Sequence, residues 1–243
     1  MKSEQIRKIF HPFTRIPGIR NIFGSIYKRF IYNPVRKREI EIFQKNALVV
    51  LTEFDKVLYE TNVSYCLFWG SLIGAVREKG FIPHDFDIDV AVWRNDNNEK
   101  MRDALLKSGF THKHRFLIDD GDTGMEDTFE KNGVAIDIFY FYNDSGTNAP
   151  YCTSFDYIGD CVTWEECIKK YGNLKIFRFF FDLPHKFEYV PFENIKLPIP
   201  GNYDTILRSY YGDNYMMPDP NWRGGEPETN LWIGKKVVYK VFK

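Results

Sequence analysis

The sequence predicts an α/β (α+β) fold, a mixed sheet flanked by helices, and three observations carry that expectation. Segments with apolar residues about 3.6 positions apart alternate with short β-branched and aromatic runs. Hydrophobic residues make up 44% of the chain and charged residues 27%, a balance that supports a core and excludes a disordered polymer. The length of 243 residues suits one domain, or one domain with a small appendage.

The appendage is the beginning of the chain. Residues 1–38 hold ten Lys and Arg and a single acid, Glu4, a net +9 that the rest of the sequence brings to zero. Ile6, Ile9, Phe10 and Phe13, then Ile19, Ile22, Phe23, Ile26 and Phe30, stand at helical spacing, and Pro12 and Pro17 keep each helix short. This basic helical N-terminal extension reads either as an element for an anionic membrane surface or as a hairpin packed on the domain. Residues 39–243 are expected to form one domain. Its first helix spans 39–61, with Ile42, Phe43, Leu48, Leu51, Phe54 and Leu58 on one stripe and Asn62 as its stop. A strand at 64–69 turns through Gly70-Ser71 into a helix at 72–78. A loop at 79–84 leads to a strand at 87–93, and a helix at 95–109 ends at Gly109. Strands follow at 110–118, 127–131 and 134–142, the last two joined through an Asn132-Gly133 hairpin turn. Beyond 143 the chain is rich in aromatics and turn residues, with short helices at 164–171 and 203–211. The cluster Phe177, Phe179, Phe180 and Phe181 reads as core.

Several classes are excluded. A zero net charge argues against a general nucleic-acid binder. No apolar run exceeds five residues, so no helix spans a bilayer. The first residues carry no secretory leader pattern. Cys66, Cys152, Cys161 and Cys167 lack metal spacing and read as thiols of a reducing compartment. A cytoplasmic protein, peripheral at the inner membrane face through residues 1–38, is the expectation.

The informative segment is WGSLIGAVREKGFIPHDFDIDVAVW, residues 69–93. Asp87 and Asp89 project from one face of a strand, and Asp85 joins them if the strand begins early. Adjacent carboxylates repel unless a cation lies between them, and oxygen-only ligands favour Mg²⁺ or Mn²⁺. Gly70 and Ser71, at a strand-to-helix passage, suit a phosphate. Asp137 sits between Ile136 and Ile138 in an apolar strand, where an acid needs a partner; a cation shared with Asp87 and Asp89 supplies one, and so does a neighbouring Lys or Arg. A solvated acidic turn is the plain alternative for the three aspartates, but their alternation with Phe86, Ile88 and Val90 argues against it. An EF-hand is excluded by Val90 where its glycine belongs. His112 and His114, on one face of a strand, form a weak candidate metal pair. Tyr203, Tyr210, Tyr211 and Trp222 read as packing or as stacking platforms for a sugar or base.

The order of Gly-Ser, then Asp-x-Asp some sixteen residues on, then a third Asp, resembles the nucleotidyltransferase superfamily. GSLIGAVREKGFIPHDFDIDVAV resembles the LicD/fukutin family within it, whose signature reads roughly G-[ST]-L-L-G-A-[VY]-R followed by G-F-I-P-W-D-[DY]-D-I-D. IPGNYDTILRSYYGDNYMMPDP is similar to that family's tail pattern. His84 replaces the usual Trp and Phe86 a frequent Asp, and the segment after Pro220 departs from the family's tail.

The resemblance implies a nucleotidyltransferase-like sheet and transfer of a phospho-alcohol, phosphocholine or an alditol phosphate such as ribitol phosphate. The donor would be a CDP-activated alcohol, the acceptor a hydroxyl of a glycan or lipid-linked glycan, and CMP would be released. Asp87, Asp89 and Asp137, with Asp85 in reserve, would hold Mg²⁺ or Mn²⁺. Asp137 would otherwise serve as base. Gly70 and Ser71 would hold the donor phosphate and Arg77 would neutralise the leaving CMP; a surface pairing with Glu78 is the plainer role for Arg77. An ATP-using nucleotidyltransferase and an inactive glycan- or partner-binding domain are the rival readings. The motifs begin beyond residue 60, so the site is expected to be independent of residues 1–38.

Overall fold

One stripe of α1 (Asn33–Glu60) is apolar and buried, with Phe43, Ala47, Val50, Leu51, Phe54, Val57 and Leu58 recurring at helical spacing. The helix ends as expected at Asn62, whose φ of 56° lets Val63 N–H reach back to the Leu58 carbonyl. It begins at Asn33 rather than 39, so the last basic residues of the presumed extension lie on it. The computed structural model describes residues 33–95, 97–219 and 230–242. The short basic helices expected within 1–32, and Trp222, lie outside the described residues.

After α1 come β1 (Tyr65–Leu67), α2 (Trp69–Arg77), β2 (Asp87–Trp93), α3 (Asn97–Lys107), β3 (Thr111–Ile118), β4 (Gly124–Lys131) and β5 (Val134–Asn143). β6 (Pro150–Asp156), α4 (Trp164–Tyr171), β7 (Lys175–Phe180), β8 (Phe187–Phe192), β9 (Ile195–Pro200), α5 (Tyr203–Tyr211) and β10 (Val237–Val241) complete the described chain. The main sheet runs β1-β2-β5-β4-β3-β10, with β6 and β7 continuing from the end of β5, and β8 and β9 form a separate hairpin. Among the described residues only β2 and β5 pair in parallel; the other pairs are antiparallel. The fold is thus α+β with a mixed sheet, as the sequence predicts.

Expected and observed bounds agree for β2, α4 and α5. Asn132-Gly133 is the two-residue turn between β4 and β5, with φ of 51° and 81°, the pair of positive values that a type I′ hairpin needs. Thr163 Oγ1 accepts from Glu166 N–H and starts α4; Gly172, at φ 68°, ends it. The strands β6 to β10 are not foreshadowed. β8 is largely exposed, without alternation, and Pro191 and Pro198 stand inside β8 and β9, which argues against strands in a sequence and is tolerated on a small hairpin. The four cysteines are buried, and none of them is in a disulfide. Phe177, Phe179 and Phe181 are core, but Phe180 is 46% exposed, because it ends β7 facing outward under the Arg178 guanidinium.

The two histidines do not share a face, contrary to expectation. A bulge between His112 and His114 on β3 adds a residue and breaks the two-residue period. His112 bonds Asp127 and His114 bonds Thr128, successive residues of β4 that point to opposite faces, so the two imidazoles are no metal pair. On its face Asp127 is fully buried and satisfied. Arg115 donates to both carboxylate oxygens at 2.7 Å, Tyr140 Oη donates to Oδ2 at 2.7 Å, and His112 Nε2 lies 2.7 Å from Oδ1. Burial alone would raise this acid; the bonds from Arg115 and His112 outweigh it and hold its pKa at about 2. Arg115→Ala leaves that charge buried without its main partner, and urea unfolding is expected to lose about 3–5 kcal/mol. A loss below 1 kcal/mol would show that the network adds little.

Candidate active site

The acidic site begins with a strained turn. Trp69, first residue of α2, has a φ of 41°, an outlier for a bulky side chain. Its ring is fixed by Phe68, Phe139, Phe179, Phe181 and Tyr210 at centroid distances of 4.3–6.0 Å. The turn delivers two residues to Asp89. Gly70 N–H donates to Asp89 Oδ2 at 3.0 Å, and Ser71 Oγ accepts from Asp89 N–H at 2.9 Å. A Cβ on Gly70 would stand 3.2 Å from that same carboxylate oxygen, so the close approach favours glycine. Gly70 and Ser71 therefore belong to α2 itself, which starts earlier than the expected 72, and both are engaged in holding Asp89.

Asp89 is the direct partner of Asp137 in the parallel β2–β5 pairing, so both side chains share a face on strands about 4.8 Å apart. Asp87 shares the face two residues earlier, and Asp85 lies in the loop just before β2. All four acids are half-buried. Thr128 Oγ1 donates to Asp137 Oδ1 at 2.5 Å. Among the described residues, no three Asp, Glu, His or Cys side chains are already drawn together tightly enough to hold a metal ion. Backbone register nevertheless puts Asp87, Asp89 and Asp137 on one surface of the β2–β5 pair.

Burial pushes Asp85 up to about 7, with the charge of Asp87 adding to it and Arg77 and Arg36 opposing. Burial raises Asp87 to about 6 against the pull of Arg36. It raises Asp137 to about 7, with Asp87 adding and Thr128 opposing. Asp89 stands well above the carboxylate range, first through burial and then through Asp87, Asp137 and Asp85. Burial is thus the first cause for all four acids, and the charges of neighbouring aspartates raise Asp85, Asp89 and Asp137 further. Their oxygen-only chemistry and shared face fit Mg²⁺ or Mn²⁺.

Arg77 is placed as its plainer reading has it, donating to Glu78 Oε1 at 2.7 Å and to the Tyr215 carbonyl at 3.3 Å, while its charge still reaches Asp85. Arg36, in the basic segment expected to stand apart from the domain, lies on α1 and belongs to no motif. Its guanidinium lies 3.2 Å from the ring centroid of Phe86, one of the positions where the family signature is broken, and its charge acts on Asp87. The site therefore draws on a residue of the first 38, contrary to expectation. Tyr211 on α5 is close enough to Asp89 for that charge, after burial, to raise its phenol well above the usual value. Tyr210 packs on Trp69, and Tyr203 packs on the core. His84 is exposed. A separate cleft of about 720 Å³, lined by Tyr59, Tyr65, His185 and Tyr189, holds none of the site aspartates.

Raised acids bind more protons in the folded than in the unfolded chain between pH about 4 and 7, so metal-free stability falls as pH rises through that window. His114, lowered to about 4 mainly by burial, works in the opposite sense below its ordinary value. The comparison of wild type with Asp89→Asn separates the two. The variant's Tm relative to wild type is expected to be higher at pH 8 than at pH 5, and excess Mg²⁺ is expected to raise the wild-type Tm more at pH 8. A pH-independent difference would mean that the acids are not crowded.

Residues 62–202 match the family described as LicD/FKTN/FKRP, nucleotidyltransferase domain. Ribitol-5-phosphate transferase FKTN of Mus musculus is 26% identical over 191 residues, 74% of this chain and 35% of that protein. Lipopolysaccharide cholinephosphotransferase LicD of Haemophilus influenzae is 38% identical over 80 residues, 33% of this chain and 29% of the relative. Ribitol 5-phosphate transferase FKRP of Homo sapiens is 33% identical over 97 residues, 37% of this chain and 19% of the relative. The chain spans about a third of the length of the fukutin relatives. The matched segment contains Gly70, Ser71, Asp87, Asp89 and Asp137, the residues that meet on β2, β5 and the start of α2. The chain belongs to the LicD/FKTN/FKRP nucleotidyltransferase-domain family.

Proposed function

We propose that this chain is a metal-dependent phosphotransferase that moves a phospho-alcohol from a CDP-activated donor to a glycan hydroxyl and releases CMP. The observation that carries the reading is the facing of Asp89 and Asp137 on parallel strands, with Asp87 on the same face. Mg²⁺ or Mn²⁺ held there would screen the donor diphosphate and polarise the transferred phosphorus. The chain's own residues do the rest. Gly70 and Ser71 hold Asp89 in place. Arg36 and Arg77, whose charges reach the aspartates through space, would meet the donor phosphates. Asp137, raised to about 7, suits a group that takes the acceptor's proton if it is not needed as a ligand. The printed activities of the relatives, transfer of ribitol 5-phosphate and of phosphocholine, support a phospho-alcohol over a nucleotide as the group moved.

Incubation of the full chain with Mg²⁺, a glycan acceptor and, separately, CDP-choline, CDP-ribitol, CDP-glycerol or ATP tests the reading. Release of CMP is expected, with mass spectrometry placing the phospho-alcohol on the acceptor. Asp89→Asn is expected to abolish it in a folded protein. Arg77→Ala and Arg36→Ala are expected to raise the donor KM about ten- to hundredfold, the loss of one charge-assisted contact. A nucleotide left on the acceptor identifies the ATP-using rival. Acceptor binding without turnover identifies a binding domain.

Among the described residues, no helix is long and apolar enough to cross a membrane. In our reading the basic residues before α1 hold the enzyme on the anionic cytoplasmic membrane face, where a lipid-linked acceptor resides. The full chain is expected to co-sediment with anionic vesicles less at high salt, and a variant lacking residues 1–32 to remain in solution with its site intact. Removal of residues 1–38 would take Arg36 as well and confound the result. Equal sedimentation of the full chain and the shortened variant would end the membrane assignment.

A further inference from the structure

Asp89 and Asp137 are the first two members of a longer row. Asp137 is the register partner of Thr128 on β4, and Thr128 is the register partner of His114 on β3. The three strands place their side chains in contact: Thr128 Oγ1 is 2.5 Å from Asp137 Oδ1, and His114 Nε2 is 3.0 Å from the same Oγ1. The β3 bulge creates this arrangement, since it sends His112 to Asp127 on the other face and leaves His114 in the row. Phe116 and Tyr239 border the imidazole at 5.1 and 5.6 Å and limit its rotation.

Proton counting gives the row a direction. A threonine hydroxyl has one proton, and an ionised carboxylate can only accept. With Asp137 ionised as a cation ligand, that proton goes to its Oδ1 and Oγ1 must accept from His114, so in the neutral imidazole Nε2 carries the proton and Nδ1 does not.

We propose that His114, as its Nε2–H tautomer, is a positioning residue that acts through Thr128, fixing Asp137 Oδ1 and leaving Oδ2 for the cation. The inference rests on the reading of Asp137 as a cation ligand. A lone threonine or histidine two strands away carries no motif, and only the register joins them to the site. Carboxylate ligands held this way keep one geometry on metal entry, and removal of such a support typically costs ten- to hundredfold in metal affinity.

The test uses the full chain and Mn²⁺ alone, with affinity measured by calorimetry and no donor or acceptor present. Thr128→Val and His114→Leu are expected to weaken Mn²⁺ binding about ten- to hundredfold. Thr128→Ser, which restores the hydroxyl, and His114→Gln, which places an amide N–H near the Nε2 position, are expected to recover most of the loss. Nitrogen-15 spectra of the wild type with Mg²⁺ at pH 7.5 are expected to show His114 protonated at Nε2, a readout that needs no variant to fold. Wild-type affinity in Thr128→Val, or the Nδ1–H tautomer in the wild type, overturns the relay. If Asp89→Asn loses Mn²⁺ while Thr128→Val keeps it, the relay alone fails; if the wild type binds no Mn²⁺, the metal reading fails with it.

Discussion

Asp89 is the residue on which the site depends. Its carbonyl accepts from Phe68 N–H at 2.9 Å, its N–H donates to Ser71 Oγ, and its Oδ2 accepts from Gly70 N–H. Three bonds, from Phe68, Gly70 and Ser71, thus tie the start of α2 to β2. The carboxylate occupies the N-terminal end of α2, where partial positive charge from unpaired amides favours an anion. That contribution offsets only part of the cost of keeping Asp89 among Asp85, Asp87 and Asp137, since its pKa still stands well above the ordinary range.

The grip on Asp89 explains features that otherwise look wasteful. Trp69 holds a left-handed backbone at a cost of order 1–3 kcal/mol. Aromatic contacts surround its ring, and the turn it begins delivers Gly70 and Ser71 to Asp89. Tyr210 and Tyr211 come from α5, more than a hundred residues later in the sequence, and one packs on Trp69 while the other faces Asp89. The two separated motif matches are therefore one structural unit: the second motif braces the turn on which the first depends.

Local patterns made much of this legible. β2, α4, α5 and the Asn132-Gly133 turn follow from alternation, caps and positive φ, all properties of neighbouring residues. Asp87 and Asp89 are legible for the same reason, and Asp137 because an acid among β-branched residues is conspicuous. What stayed hidden depends on pairing between distant segments. Arg36 reaches the site from the early start of α1, where its guanidinium lies over Phe86. His112 and His114 look like one face until a bulge separates them. β8 and β9 contain prolines that a sequence reading counts against strands, and only their mutual pairing overrides that.

The sheet contains its own control for the acidic site. Asp127 and Asp137 sit on adjacent strands, Asp127 fully buried and Asp137 half-buried. Asp127 is met by a bidentate Arg115, by His112 and by Tyr140, and its pKa falls to about 2. Asp137 receives a single neutral hydroxyl, and its pKa rises to about 7. Asp87 and Asp89 likewise lack an ion pair among the described residues, although Arg36 and Arg77 are near enough for one or both to influence Asp85 and Asp87 through space. The fold can build an arginine partner for a buried acid, since it does so on the other face of β4. Leaving three acids on the opposite face without one is the contrast on which the proposed cation site rests.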